Sequence, residues 1–163
     1  MEYDLTSGNQ PIESYDLSSI KKNNIIFVDK ALFNIDNKMI KFYSPPNPEH
    51  VSHSISDFQN KFRKNKEFIE VKTTTVESLM KNYKLKEINL IKLDIEGSEN
   101  FVIPELIKSK IFPNQILVEF DELNENYIRS YLKAYNIFLQ LFKNGYKLID
   151  TEKYPSFLFV KNF

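Results

Sequence analysis

Two acidic residues, Asp94 and Glu96, stand at the end of an apolar stretch in the middle of the chain. Five of the eight residues from 88 to 95 are apolar and three of these are β-branched, which is typical of a strand buried on both faces. Gly97 then interrupts the strand pattern and a helical pattern follows. The two acids are therefore predicted to lie at the carboxyl edge of a sheet, where open α/β sheets bind ligands. A carboxylate there can orient a hydroxyl group or remove its proton, which makes Asp94 and then Glu96 the candidate catalytic residues.

The same two acids also have a purely structural interpretation. The side-chain period of two places Lys92 on the same side of the strand as Asp94, and buried charges are costly unless they are paired or used. Asp94 would then pair with Lys92, and Glu96 would cap the next helix near its positive N-terminus. The residues alone leave both interpretations open.

Both histidines of the chain lie in one proline-rich loop. We expect His50, Ser52 and His53 to contact the substrate, with a histidine as a base or a hydroxyl ligand. The alternative is a surface loop with solvated histidines, since H-x-x-H is a weak metal signature without a helix and a third ligand. Glu119 ends a later apolar run and is the last substrate candidate, although a solvated strand end has the same pattern. A divalent cation is a further alternative, held by a histidine and the three acids Asp94, Glu96 and Glu119.

The composition excludes several classes of function. The 163 residues suffice for one domain with a sizeable core, and 22 basic against 22 acidic residues give no support to nucleic-acid binding. The absence of cysteine excludes disulfides, thiolate zinc sites and cysteine nucleophiles. No stretch is apolar enough for a membrane span and the first residues lack a signal-peptide pattern, so a cytoplasmic location is expected. No G-x-G occurs, so the glycine-rich turn common in nucleotide-binding α/β domains is missing.

The apolar patterns predict an α/β domain with elements in the order β, β, β, α, β, α, β, α, β, β. Strands are predicted at 25–28, 39–43, 68–73, 88–95, 115–120, 146–149 and 157–160, and helices after a capping pattern at Thr74, over 99–110 and over 126–144. The β-α-β-α-β middle predicts a parallel sheet with right-handed crossovers, and the last two strands predict an antiparallel pair. One helical stripe is predicted to face the core: Ile128, Leu132, Tyr135, Leu139 and Phe142, widened by Tyr131 and Phe138.

Residues 92–99, with the sequence KLDIEGSE, resemble the central K-x-D-x-E-G-x-E motif of the FkbM-type methyltransferases. The segment 28–32, VDKAL, is similar to a strand followed by Ala-Leu in that family. Three further segments resemble family segments in the same order, at 47–54, 71–79 and 116–120.

The resemblance implies a Rossmann-like class I methyltransferase sheet, mostly parallel with an antiparallel terminal strand. It implies S-adenosylmethionine as the cofactor and O-methylation of a sugar or another small-molecule hydroxyl. Lys30, Ala31 and Leu32 would flank the adenine ring, although ordinary packing would also explain Ala31 and Leu32.

The chain also departs from the family pattern. The family begins with a strand and a glycine-rich loop for the cofactor, and nothing before Ile25 resembles them. Residues 1–163 are therefore expected to form a single domain that is incomplete at its N-terminus. The alternative function is a non-catalytic α/β remnant or interaction module that has lost cofactor binding. The strand ending at Asp94 would then have an open edge, which self-association or a partner chain would complete.

Overall fold

The computed structural model describes residues 25–45, 53–55, 67–125, 127–150 and 154–162. Two residues predicted to contact substrate, His50 and Ser52, lie outside this part of the chain. The described residues form strands β1 Ala31–Leu32, β2 Met39–Tyr43, β3 Phe68–Thr74, β4 Leu90–Leu93, β5 Gln115–Glu119, β6 Tyr146–Asp150 and β7 Ser156–Lys161. The helices are α1 Val76–Tyr83, α2 Glu99–Lys108 and α3 Ile128–Lys143, with a 3₁₀ helix at Asp121–Glu125. No helix in the described ranges is long and apolar enough to span a membrane.

The first sheet has three strands in the order β1-β3-β2. β1 pairs with β3 in parallel, with Ala31 opposite Thr73, and β2 pairs with β3 in antiparallel. Thr73 is fully buried, and its hydroxyl donates to the carbonyl of Ile35 (2.5 Å) and accepts the N–H of Lys38 (3.0 Å). These bonds hold the turn after β1 against β3, and so they fix the position of Ala31 and Leu32.

The second sheet has four strands in the order β4-β5-β7-β6. β4 and β5 are parallel, while β7 is antiparallel to both of its neighbours. β4, β5 and β6 therefore run in one direction, and β7, the last strand of the chain, runs against them. This confirms the predicted antiparallel pair of β6 and β7 and the parallel β4-α2-β5 unit. The prediction of one parallel sheet that includes β3 is wrong, because β1 and β2 occupy both edges of β3. The fold is a mixed α/β arrangement of two sheets and three α-helices in the described residues.

β4 is shorter and less buried than its apolar sequence predicts. Alternation points Ile91 and Leu93 towards the core, and Leu93 is fully buried. On the other side Leu90 is 54% exposed and Lys92 is also exposed. The prediction of burial on both faces is wrong, because the core covers only one face of this strand. Within the described residues β4 is also an edge strand that pairs with β5 alone.

The core lies between one face of the second sheet and helices α2 and α3. Its fully buried side chains include Leu93, Val118 and Phe159 from the sheet, Val102 and Ile103 from α2 and Leu141 from α3. Burial of such a side chain contributes roughly 1.5–3 kcal/mol, so this layer supplies the main driving force for folding. Phe138 of α3 adds edge-on ring contacts to Phe157 and Phe159, with ring centroids 4.9 and 5.0 Å apart.

Two helix ends follow local sequence signals. α1 begins after Thr75, whose hydroxyl accepts the N–H of Ser78 at 3.1 Å. The predicted cap at Thr74 is thus one residue early, because Thr74 is still part of β3. After α3 the chain turns at Gly145, whose φ of 81° is the left-handed conformation that glycine favours, as its position predicts.

α3 is present as predicted, but the stripe predicted to be core faces solvent. Six of its seven residues are exposed: Ile128 77%, Tyr131 43%, Leu132 62%, Tyr135 62%, Leu139 36% and Phe142 45%. Phe138 packs against the core, as predicted. The buried face consists of Ser130, Ala134, Ile137 and Leu141. The sequence offers two apolar faces, and packing selects the one with the smaller side chains.

The prediction of a buried strand at 25–28 is also wrong. These residues form no strand, and Ile25, Ile26 and Phe27 are 57%, 62% and 88% exposed. The strand instead forms at Ala31–Leu32, where β3 supplies hydrogen-bond partners. An apolar run becomes a strand only where a neighbouring edge is available to pair with it.

Candidate active site

A cavity of about 610 Å³ lies between the first sheet and the end of β4. The first sheet and the residues next to it supply Lys30, Ala31, Leu32, Phe42, His53 and Ile69. The loop between β4 and α2 supplies Asp94, Ile95, Glu96 and Ser98. One wall is therefore largely apolar and the opposite wall carries two carboxyl groups.

The cavity brings together most of the site residues predicted from the sequence. The predicted cofactor residues come from β1 and the residue before it, and the predicted catalytic acids come from the end of β4. His53 is the only predicted substrate residue in the described lining. Glu119 does not line the cavity. It ends β5, where its carboxylate accepts a hydrogen bond from the Ser156 hydroxyl at 3.1 Å.

Asp94 follows β4 directly and forms an ion pair with Lys92, with 3.0 Å between Nζ and Oδ2. The hydrogen bond to Asp94 raises the pKa of Lys92, so the lysine stays charged. Both side chains are substantially exposed, 58% for Lys92 and 41% for Asp94. Such a pair contributes at most about 1 kcal/mol, so Asp94 can exchange this partner for a ligand at little cost. The predicted ion pair between Asp94 and Lys92 is therefore formed, and it leaves Asp94 able to act on a ligand.

The loop after Asp94 has an unusual backbone. Glu96 has a φ of 52° and Gly97 a φ of 97°, two consecutive residues in the left-handed region. A non-glycine residue there is uncommon and needs support from its surroundings. Buried Ser54 provides one support, because its hydroxyl donates to the carbonyl of Glu96 at 2.5 Å. Ser54 also exchanges backbone hydrogen bonds with Tyr43, so it connects this loop to β2.

Glu99 provides the second support for the loop. Its carboxylate accepts the N–H of Ile95 (2.7 Å) with Oε1 and the N–H of Gly97 (2.8 Å) with Oε2. The side chain is only 1% exposed, which is unusual for a glutamate. The carboxylate that closes this loop is that of Glu99, whereas the structural interpretation of the sequence gave a helix-capping role to Glu96. The sequence contained the signal, since Glu99 is the last acid of the 92–99 motif, but no reason to expect its burial.

Burial raises the pKa of Glu99 to about 8, against an ordinary value of 4.5, and its backbone hydrogen bonds only partly offset this. The group is thus mostly protonated at neutral pH. Asp121, at the start of the 3₁₀ helix, behaves similarly. Burial, together with the negative charges of Glu96, Glu119 and Asp94, raises its pKa to about 7. The sequence showed Asp121 only as one acid among several after β5.

His53 precedes Ser54, whose hydroxyl bonds the Glu96 carbonyl, so it lies beside the loop that carries the two acids. Its Nε2 lies 3.3 Å from the Ser44 hydroxyl, which is within hydrogen-bond distance. Among the described residues, no three His, Cys, Asp or Glu side chains are grouped so that they would hold a metal ion.

A family model described as the methyltransferase FkbM domain matches residues 11–148. This chain belongs to the FkbM methyltransferase family. The match includes the β4-α2 loop, both sides of the cavity and most of the second sheet. Searches of curated proteins and of solved structures returned no significant match.

Membership of the FkbM family implies a methyl donor, typically S-adenosylmethionine, and the cavity residues fit such a group. The volume of about 610 Å³ lies within the range of small-molecule sites, roughly 300–1,000 Å³. Ala31, Leu32 and Ile69 form an apolar wall suited to a flat purine ring. Asp94 and Glu96 supply negative charge opposite that wall, where it would attract a cationic sulfonium or amino group.

Proposed function

We propose that this domain transfers a methyl group from S-adenosylmethionine to a hydroxyl group of a sugar or another small molecule. We further infer that its two sheets are parts of a Rossmann-like class I methyltransferase architecture. The single observation that carries the proposal is the shared cavity. It brings the apolar residues Ala31 and Leu32 together with the two acids Asp94 and Glu96. These two segments lie far apart in the sequence.

The residues of the cavity divide into two sets. Ala31, Leu32 and Ile69 would pack against the adenine ring, and Lys30 would lie beside the charged or ribose part of the donor. Asp94 and Glu96 would face the acceptor, with His53 of the adjoining segment as a further hydrogen-bonding group. This division assigns the donor to the first sheet and the chemistry to the end of β4.

The bound donor supplies an electrophilic methyl group on a sulfonium. The chain then has two tasks, to align the acceptor oxygen and to accept its proton. Positioning accounts for much of the barrier reduction in such reactions. Asp94 is the first candidate to orient the hydroxyl and take its proton, and a general base of this kind typically contributes about 10²–10⁴-fold. Glu96, held in its left-handed conformation, is the second.

Calorimetric titration with S-adenosylhomocysteine, the product form of the donor, tests the donor site. We expect saturable heat for the wild-type chain. Ile69→Arg should abolish it, because a long cation in the apolar wall occupies the purine position and repels the positive end of the donor. Ile149→Arg is the matched control, since Ile149 is similarly exposed on β6 and lies outside the cavity.

The rival function, a non-catalytic α/β interaction module, gives the opposite result. If no heat is seen at about millimolar ligand, the binding free energy is weaker than roughly 4 kcal/mol. That result would exclude the methyltransferase proposal for this chain. Equal loss of binding in both arginine variants would show that the ligand does not occupy the cavity.

A further inference from the structure

The outer face of α3 carries an apolar seam that the donor site does not use. This α3 seam consists of Ile128, Leu132, Tyr135, Leu139 and Phe142, whose side chains are between 36% and 77% exposed. Scattered exposed apolar residues are normal on a protein surface, but a continuous row over four helical turns marks an interaction site.

Within the described residues, the core leaves the α3 seam uncovered in this arrangement. Ser130, Ala134, Ile137 and Leu141 form the opposite face of the same helix and are already packed in the core. Rotating α3 to bury the seam would expose Ile137 and Leu141, so any cover for the seam must come from outside the core.

The spacing of the α3 seam indicates what kind of surface covers it. Its members follow one another at intervals of four, three, four and three residues, which is the a/d pattern of a coiled coil. The spacing therefore favours a second helix as the partner.

Charge along the seam decides the type of helix. In the heptad frame Arg129, Asn136 and Lys143 occupy the e positions that flank a partner helix, and they are exposed. The 16 residues of α3 contain no acid. The opposite flank is aromatic, with Tyr131 and Phe138. Only the e flank carries charge, and that charge is positive.

A second copy of this chain fits that charge pattern poorly. An antiparallel pair of α3 helices would place the two e flanks together, with Arg129 of one copy opposite Lys143 of the other. A parallel pair would direct the basic flank onto Phe138, which is already packed against Phe157 and Phe159. Like charges across an interface disfavour the first arrangement, and in the second the ring that would meet Lys143 is already packed in the core.

We propose that the α3 seam binds an amphipathic helix of another protein, one with apolar residues at a and d and acidic residues beside them. This inference is independent of the proposed methyl transfer, because the seam shares no residue with the cavity.

Two synthetic helical peptides of about the length of α3 test the proposal. They share leucine at a and d, and one carries glutamate and the other lysine at e and g. We expect the glutamate peptide to bind the full chain roughly five- to tenfold more tightly at low ionic strength, a difference of about 1–1.4 kcal/mol. The double variant R129E/K143E should reverse this preference, and Leu132→Ser should abolish binding of both peptides. Leu85→Ser is the matched control, because Leu85 is 50% exposed and lies outside the seam.

Three outcomes would overturn the proposal. Equal affinity for both peptides, or binding of neither, would mean that the seam does not select an acidic helix. Sedimentation that shows self-association of the chain, lost in Leu132→Ser, would assign the seam to a second copy. Binding to vesicles of acidic lipid, lost in the same variant, would assign it to a membrane surface.

Discussion

At the scale of single residues, the site depends on carboxyl groups with different surroundings. Asp94 is partly exposed and paired weakly with Lys92, so it is available to an acceptor hydroxyl. Glu99 is buried and bonded to the loop that carries Asp94 and Glu96, so its role is to position them. The sequence motif at 92–99 contains all three acids, and only the folded structure distinguishes the exposed Asp94 from the buried Glu99.

Replacing Asp94 tests its proposed role. Asp94→Asn should lower methyl transfer to a hydroxyl acceptor by about 10²–10⁴-fold, because the amide is a very poor base, while the fold remains intact. The measurement is incorporation of labelled methyl into a panel of sugar acceptors. Glu87→Gln, an exposed acid in the loop before β4, serves as the control. Unchanged turnover in Asp94→Asn would remove Asp94 from the chemistry.

The burial of Glu99 predicts a specific dependence of stability on pH. The folded chain has a pKa of about 8 at Glu99 against 4.5 for the ordinary group. Between these values the folded state keeps a proton that the unfolded state has lost, so the free energy of unfolding falls as pH rises. The slope is up to about 1.4 kcal/mol per pH unit for this group, and it ends above pH 8. Asp121 adds a smaller fall of the same sign, ending above pH 7.

Urea unfolding of the wild type and of Glu99→Gln between pH 5 and 9 checks this expectation. Glutamine places an NH₂ group, which cannot accept, where the protonated carboxyl has its hydroxyl oxygen, so one of the two backbone N–H groups loses its partner and the variant should be less stable at pH 5. The difference between the two proteins should shrink towards pH 9, as the wild type loses its protonated state. A constant difference across the range would mean that Glu99 is ionised in the folded chain.

At the scale of elements, prediction from the sequence succeeds where the pattern has one interpretation. The order of strands and helices from 39 onwards, the cap near Thr75 and the glycine after α3 were all predictable. The run at 25–28 and the stripe on α3 were not, because each depends on which surface is available for packing. Hydrophobicity identifies a face that prefers burial, but it does not identify which of two faces is buried.

The adjacent threonines at the end of β3 give a matched test of what holds the first sheet. Thr73→Val should cost about 1–3 kcal/mol, because it leaves the Ile35 carbonyl and the Lys38 N–H without their buried partner. Thr74→Val should be neutral or slightly stabilising, since the Thr74 hydroxyl is buried and has no hydrogen-bond partner in the described residues. Urea unfolding measures both. An equal loss in the two variants would contradict the assigned role of the Thr73 hydroxyl.

At the scale of the whole molecule, the cavity exists because two sheets are joined at a few points. Ser54 bonds the first sheet to the Glu96 carbonyl, and Phe33 packs against Phe101 of α2 with ring centroids 5.0 Å apart. The residue pattern predicted Asp94 and Glu96 on one wall, and the resemblance predicted residues 30–32 on the other. Neither predicted that the strands form separate sheets. That division follows from β2 and β3 pairing with each other, a contact between segments more than twenty residues apart.

Hydrogen exchange with and without S-adenosylhomocysteine tests most directly whether this cavity holds the donor. We expect slower exchange of backbone amides on both walls together, at residues 30–32 of the first sheet and at 94–98 after β4, with no change across α3. This pattern requires a ligand that bridges the two sheets. Unchanged exchange at both walls under saturating ligand, or protection confined to α3, would contradict the assignment of the cavity as the methyl-donor site.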